Sequence, residues 1–479
     1  MSGINTIMNI ARGALQANQI AMEVVSHNIA NVNTPGYTRQ SAVLESASPV
    51  SMNWIKVGMG VQVGSVTQAF DPYTTRAIQQ NTSSLNEYQT QASVLSQLES
   101  LFNETGNATL SNAMNDFWNA WQGVASNPEG TVERAALLEK ANILVQKFNS
   151  MSNDLTQAKK DMNTNIQMGI EKVNELTGKI ADLNDKIMAA EADKTPANDL
   201  RDQRNSLLGE LSSWLGNVSV EQRNGSVTVL TQGGNLLVDG NNHWDLQQSG
   251  NNIYYNNVPN DISKNLTGGQ IGGWLDIRNE IVPQYQANLD ELAGTLIRQV
   301  NAVHSTGYTL SGQTGINFFD NSQVPISGDN TGAAGYIRLS TDVQNNPNNI
   351  AAGGQSGAPG DNENALKILA LQTDNSIQIR KWTISDRGKS ISSPLETMSM
   401  DDYYKTMVGE IGTTTEAANE NQSFVQSTLD NLKNLRDSVS GVNLDEELTE
   451  LLKIQRAYEA NSKILSIADE MVQSLLQMQ

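Results

Sequence analysis

The residues that could carry chemistry are few in this chain and badly spaced for it. The histidines are His27, His243 and His304. None has a second histidine three to five residues away, so zinc-ligand spacing is missing, and no HExxH occurs. Cysteine is absent, which removes disulfides and thiolate ligands and leaves the redox compartment open. Gly388-Lys389-Ser390 ends like a phosphate loop, but the glycine required five residues before Gly388 is Thr383. Gly354-Gln355-Ser356-Gly357 brings its last glycine one position too early for a nucleophile elbow. Asp and Glu together number 51, too many to single out a glycosidase pair. His27 stands off the helical seam described below and reads as a surface or interface side chain. No catalytic, cofactor or metal residue is expected, and the chain is not expected to be an enzyme.

The regular patterning lies at the two ends. From Ile4, steps of four and three give Ile4, Met8, Ala11, Leu15, Asn18, Met22, Val25, Ile29 and Val32. This is a heptad seam on one helix face with a single polar member, Asn18. The helix is expected to stop near Asn33, where Thr34-Pro35-Gly36-Tyr37 has the proline and glycine of a type II turn. At the other end Leu451, Ile454, Tyr458, Asn461, Leu465, Ala468, Val472 and Leu475 repeat the pattern. Asn443, with Glu446 three residues on, suits a capping box, and Glu446 and Glu447 suit the positive end of the helix dipole. A further periodic stretch, Val425 to Val439, precedes it and is interrupted at Ser440-Gly441-Val442-Asn443.

Between these ends the character changes twice. Ser83 to Leu215 reads as helix, punctuated at Gly106, Pro128, Gly130 and Pro196, with one or two very long helices across Thr131–Ala192. From Gly216 the residues Val218, Val220, Val227 and Val229 alternate with polar ones, and Gly233-Gly234 reads as a hairpin turn. Strand-like sequence runs to about Gly273 and returns from Gly307 to about Leu395. A helix is expected over about 275–304, a short one near Ala365, and helix again from Tyr403.

The 479 residues carry a formal net charge of −20, and 5% are aromatic. Such a surface repels nucleic acid and anionic membrane, so neither is an expected partner. Few aromatics and a negative mean hydropathy suit an elongated body with much surface per residue. No apolar run approaches the ~20 residues of a membrane span. Met1–Ile10 lacks a basic n-region and a continuous apolar stretch, so a cleavable secretory signal is not expected.

Asn28-Ile29-Ala30-Asn31-Val32-Asn33-Thr34-Pro35-Gly36-Tyr37 resembles the N-terminal signature of flagellar rod, hook and hook-associated proteins. Ser440-Gly441-Val442-Asn443-Leu444-Asp445-Glu446-Glu447, followed by Gln455-Arg456-Ala457-Tyr458-Glu459-Ala460-Asn461, resembles the C-terminal helix of the same axial proteins. Leu275-Asp276-Ile277-Arg278, Asn301-Ala302-Val303-His304 and Gly360-Asp361-Asn362-Glu363-Asn364-Ala365-Leu366 resemble its hook-associated branch. The likeness spans most of the chain and is least specific over about 216–270.

The expected fold is mainly α with a β-rich inserted outer domain. It is a helical rod whose N- and C-terminal coiled-coil helices pair, in a flagellin-like layered architecture. The expected division is 1–35 and 440–479 as a terminal coiled-coil domain, 36–215 and 401–439 as a long-helix rod, and 216–400 as the β-rich domain. The expected assembly interface comprises Ile4, Met8, Leu15, Met22, Val25, Ile29, Leu451, Ile454, Tyr458, Leu465, Val472 and Leu475. The turn is Asn33, Thr34, Pro35, Gly36 and Tyr37. The resemblance implies a structural subunit in a ring or helical homo-oligomer between hook and filament. Its implied partners are the hook protein, a second hook-associated junction protein and a cytoplasmic export chaperone on the C-terminal region. It also implies export through the flagellar type III apparatus. The alternatives are another axial subunit (hook, distal rod or flagellin-like) or a secreted carbohydrate-active protein.

Overall fold

The computed structural model describes residues 2–52, 55–102, 109–256, 258–323 and 330–477. The expected break at Gly106 lies outside them. Helix α1 (Ser2–Ala30) is followed by strands β1 (Gln40–Ser46), β2 (Val50–Met52), β3 (Ile55–Val57) and β4 (Val61–Gln68). Then come helices α2 (Pro72–Phe102), α3 (Leu110–Ser126), α4 (Thr131–Ala190) and α5 (Asn198–Trp214). Strands β5 (Asn217–Glu221), β6 (Val227–Thr231), β7 (Leu236–Asp239), β8 (Asn242–His243), β9 (Leu246–Ser249), β10 (Asn252–Tyr255) and β11 (Val258–Asp261) follow. The chain returns to helix in α6 (Gly269–Asp276), which runs through a π turn into α7 (Val282–His304). Short helices α8 (Ala333–Tyr336), α9 (Thr341–Asn345) and α10 (Glu363–Ala370) lead to strands β12 (Gln378–Arg380), β13 (Thr383–Ser385), β14 (Ser390–Ser392) and β15 (Leu395–Thr397). Helices α11 (Met400–Ser440) and α12 (Leu444–Gln477) complete it.

Three differences from the sequence reading stand out. First, β1 and β4 form an antiparallel ribbon, Gln40 opposite Gln68 and Ser46 opposite Val61, inside a stretch assigned to long helices. Val61-Gln62-Val63 and Ser65-Val66-Thr67 carry the strand alternation that reveals it. Second, the described residues of 305–377 hold isolated bridges, Tyr308–Gly353 and Phe319–Leu339, and short helices rather than strands. Its polar, Asn- and Gly-rich composition favours turns over ladders. Third, α1 ends at Ala30, three residues before Asn33, and turns occupy Asn31 to Asn33.

The chain divides into two compact units. The first comprises 1–84, 171–246 and 425–479; the second comprises 85–170 and 247–424. In the first, α1 runs along α12 and also packs on the β1–β4 ribbon. A Cβ on Gly13 of α1 would meet the Val61 carbonyl oxygen at 3.1 Å, so glycine permits that approach. The order β5-β6-β7-β8 makes a four-stranded sheet. Fully buried Asn184 of α4 ties this sheet down. Its Nδ2 donates to the carbonyls of Val227 and Gly240, and its Oδ1 accepts from Val227 N and Arg204 Nη1.

In the second unit, α4 presents Leu137, Ala141, Leu144, Phe148, Met151 and Leu155, all buried, at heptad spacing. They share a core with Phe117, Trp118 and Trp121 of α3, Leu289, Leu292 and Leu296 of α7, and Phe318 and Phe319. At ~1.5–3 kcal/mol for each large apolar side chain removed from water, this core stabilises the unit. Fully buried His304 ends α7, with its Nδ1–H donating to Ile316 O at 2.7 Å and its Nε2 accepting from Ala351 N at 2.9 Å. Burial lowers its pKa to about 4, so the ring is neutral and structural.

Candidate assembly interface

The residues that join the two chain ends lie in the first unit. Ala11 and Val25 of α1 are buried, and Ile4, Met8, Leu15, Asn18, Met22 and Ile29 are half-buried. On α12, Ile454 and Ala468 are buried, Leu451, Asn461, Leu465 and Val472 are half-buried, and Tyr458 is 38% exposed. Leu475 belongs to α12, but its side chain lies outside the described residues. Lys463 and Gln473, off the seam, are exposed. The seam is amphipathic in the way an isolated helix in water cannot use, and each helix supplies the other's cover.

At the end of α1 the Tyr37 N–H donates to the Thr34 carbonyl at 3.2 Å, closing a turn with Pro35 second and Gly36 third. Gly36 has φ +82°, as the third position of a type II turn requires. Asn33, Thr34, Pro35 and Gly36 are exposed, whereas Tyr37 is half-buried.

The turn delivers Tyr37 and Gln40 to Asn28. This side chain is 1% exposed and uses its whole hydrogen-bonding capacity. Its Nδ2 donates to Gln40 O and to Glu447 Oε2, both at 2.9 Å. Its Oδ1 accepts from the Tyr37 hydroxyl at 2.7 Å and from Gln40 N at 3.0 Å. Arg39 Nε lies 2.7 Å from Glu447 Oε1, an ion pair whose angle falls short of a hydrogen bond. Arg39 also reaches Glu446 at 3.2 Å, and its backbone N–H donates to Ser440 O. The motif at the end of α1 therefore holds the start of α12.

The same segment is tied to α5. Asp202 accepts from Thr38 N at 2.9 Å and from the Thr38 hydroxyl at 2.7 Å, and Asp199 accepts from Gln40 Nε2 at 2.8 Å. Burial raises Asp202 above the usual carboxylate range, opposed by the Thr38 bonds. Burial, with Asp199, Asp202 and Glu447 nearby, pushes the Tyr37 phenol well above its ordinary value, so it stays a donor. His27 sits edge-on to Tyr37, its Nδ1 3.1 Å from the hydroxyl. A cleft of about 510 Å³ opens beside His27, Tyr37, Asp199 and Asp202. Among the described residues no group of His, Asp and Glu is placed to hold a metal ion.

Sequence reasoning gave Glu447 a helix-dipole role; it is instead 1% exposed and paired with Asn28 and Arg39. Glu446 turns to Arg39 rather than closing a capping box, while Asn443 Oδ1 does cap α12 by accepting from Asp445 N. Thr38, Arg39 and Gln40 were missed. Residues 38–46 carry no apolar–polar alternation that would have announced them.

Three family models match the chain. Residues 8–38 match the flagella basal body rod protein model, and 436–478 the flagellar basal body rod FlgEFG protein C-terminal model. Residues 95–319 match the flagellar hook-associated protein FlgK helical domain. These are modules of flagellar axial proteins. Flagellar hook-associated protein 1 of Bacillus subtilis (strain 168) is 28% identical, covering 98% of this chain and 97% of that protein. Its namesakes in Salmonella typhimurium and Escherichia coli (strain K12) are each 26% identical, covering 99% of this chain and all of theirs. In fold, the chain resembles the flagellar hook junction protein FlgK from Burkholderia pseudomallei. The TM-score is 0.64 at 16% identity, over 76% of this chain and 100% of that one. Over nearly its whole length the chain is similar to flagellar hook-associated protein 1, and these likenesses support a structural component of the flagellum.

Proposed function

We propose that this chain is the subunit that joins the hook to the filament and is required for filament assembly. One observation carries the reading. Asn28, Tyr37, Arg39 and Glu447 fasten the terminal helices together, yet both helices keep apolar side chains uncovered. Ile7 is 44% exposed, Ile20 36%, Ile464 45%, Ile467 46% and Met471 49%. Apolar residues concentrated on a paired helical module suit packing against further copies and adjoining axial subunits.

The proposed partners are other copies in a ring or helix, the hook protein and a second hook-associated junction protein. An export chaperone on the C-terminal region is included, because α12 offers the longest uncovered apolar surface of the terminal pair. In this division of labour, 1–35 and 440–479 serve self-association, 36–215 and 401–439 form the rod, and 216–400 supplies surface. The site of action is the hook–filament junction outside the cell, reached by the flagellar export route, with no catalysis.

Electron microscopy of cells lacking the protein tests this. Hooks without filaments, with flagellin lost to the medium, are expected. Absent hooks would favour the second reading, a rod or hook subunit, which the matches at 8–38 and 436–478 support. Normal filaments would overturn both.

A further inference from the structure

Arg204 of α5 is 2% exposed. Its Nη1 donates to Asn184 Oδ1 at 3.0 Å and Gly225 O at 2.6 Å. Its Nε is buried with no acceptor, and Nη2 has none among the described residues. The empty Nε–Nη2 edge is the fork by which arginine grips a carboxylate or phosphate in two parallel bonds. Burial lowers the Arg204 pKa to about 10, the mark of a guanidinium without enough compensating charge.

Arg204 lines a cavity of about 70 Å³, whereas Asn184 and Gly225 do not. Two more arginines line it. Arg201 is held by Glu191 and by Glu221, so the wall's own carboxylate is already engaged. Arg76 of α2 is exposed and has no ion pair or hydrogen bond among the described residues. Gln68 also lines the cavity, and its buried Oε1 has no donor. Turned over, that amide would offer N–H to an anion. The volume has room for a small anionic head.

We propose that Arg76, Arg201 and Arg204 form a receptor for one carboxylate- or phosphate-sized oxyanion. A chain of net charge −20 that gathers three guanidinium groups around one small cavity concentrates positive potential there. The anion comes either from solution or from an Asp or Glu side chain of a second copy.

The test uses the full-length protein. Inorganic phosphate and acetate are titrated by calorimetry against chloride at matched ionic strength. Saturable one-to-one binding of phosphate is expected. Arg76→Ala, which removes an exposed, unpartnered side chain, should weaken it at least about tenfold while leaving the melting temperature in chloride unchanged. Arg204→Lys, which keeps charge without the fork, should weaken it similarly. Absence of phosphate and acetate binding above chloride overturns the proposal, as does phosphate binding that Arg76→Ala leaves intact. Sedimentation of concentrated protein identifies the source. Dispersal of self-associated chains by phosphate assigns a second copy's carboxylate, and binding without dispersal assigns a free oxyanion.

Discussion

Replacing Asn28 by alanine strips four hydrogen bonds from one buried point. The Tyr37 hydroxyl is half-buried and retains His27 Nδ1 at 3.1 Å, so it recovers most of its loss. Gln40 N, Gln40 O and Glu447 Oε2 do not, because Gln40 is 9% exposed and Glu447 1%. A desolvated polar group left unpaired costs ~1–3 kcal/mol. Three such groups, with Arg39 still neutralising Glu447, give an expected destabilisation of about 3–5 kcal/mol. Asn28→Asp is worse at neutral pH, since it removes both donors and sets a second carboxylate against Glu447. The introduced carboxyl would have a raised pKa in the folded state, so the folded state takes up the proton first and the deficit shrinks as pH falls. Asn31→Ala is the control, because its amide bonds the His27 carbonyl in a half-exposed setting and should cost about 1 kcal/mol or less. The assay is urea unfolding of the full chain, with hydrogen exchange followed over α12. Equal stability of Asn28→Ala and Asn31→Ala, or unchanged exchange at 444–458, would refute the argument.

Gly36→Val forces a β-branched residue to φ +82°, a strain of order 1–3 kcal/mol, although a Cβ there meets nothing closer than Ser206 Cβ at 4.0 Å. Filaments per cell should fall while secreted protein stays normal, and unchanged motility would contradict this. Leu465→Asp puts a charge into the α1–α12 seam, at a cost of several kcal/mol unless paired, whereas Lys463→Asp changes an exposed position. In a swarm assay with secretion quantified, Leu465→Asp should block incorporation and Lys463→Asp should not; equal behaviour would mean the seam is misassigned. For His304, the folded pKa of about 4 lies below the ordinary 6.5, so the unfolded chain binds the proton first. The stability His304 contributes is present above pH 6.5 and lost as pH falls towards 4, at about 1.4 kcal/mol per unit. The stability advantage of wild type over His304→Gln should therefore shrink by about 3 kcal/mol across that window. A pH-independent difference in calorimetric unfolding would count against it.

The sequence by itself determined what depends on near neighbours. Heptad spacing assigns a seam to α1 and to α12 because side chains three and four apart share a helix face. Proline followed by glycine specifies the turn at Thr34–Tyr37 because only glycine meets its φ without strain. Gly169 and Gly178 are weak breaks at ~1 kcal/mol each, so the sequence allows one or two long helices over Thr131–Ala192, and the structure makes 60 of these residues a single helix. The tertiary structure alone decided who partners whom. Glu447 has the local environment of an ordinary first-turn acid, and nothing near it in sequence announces Asn28, 419 residues away. Nor does any local pattern show that Thr38 is destined for Asp202 or that Gln40 opens a ribbon pairing with Gln68. Periodicity reports only that a face is buried. Which polar groups share that burial is settled when distant segments must satisfy one another's hydrogen bonds out of reach of water.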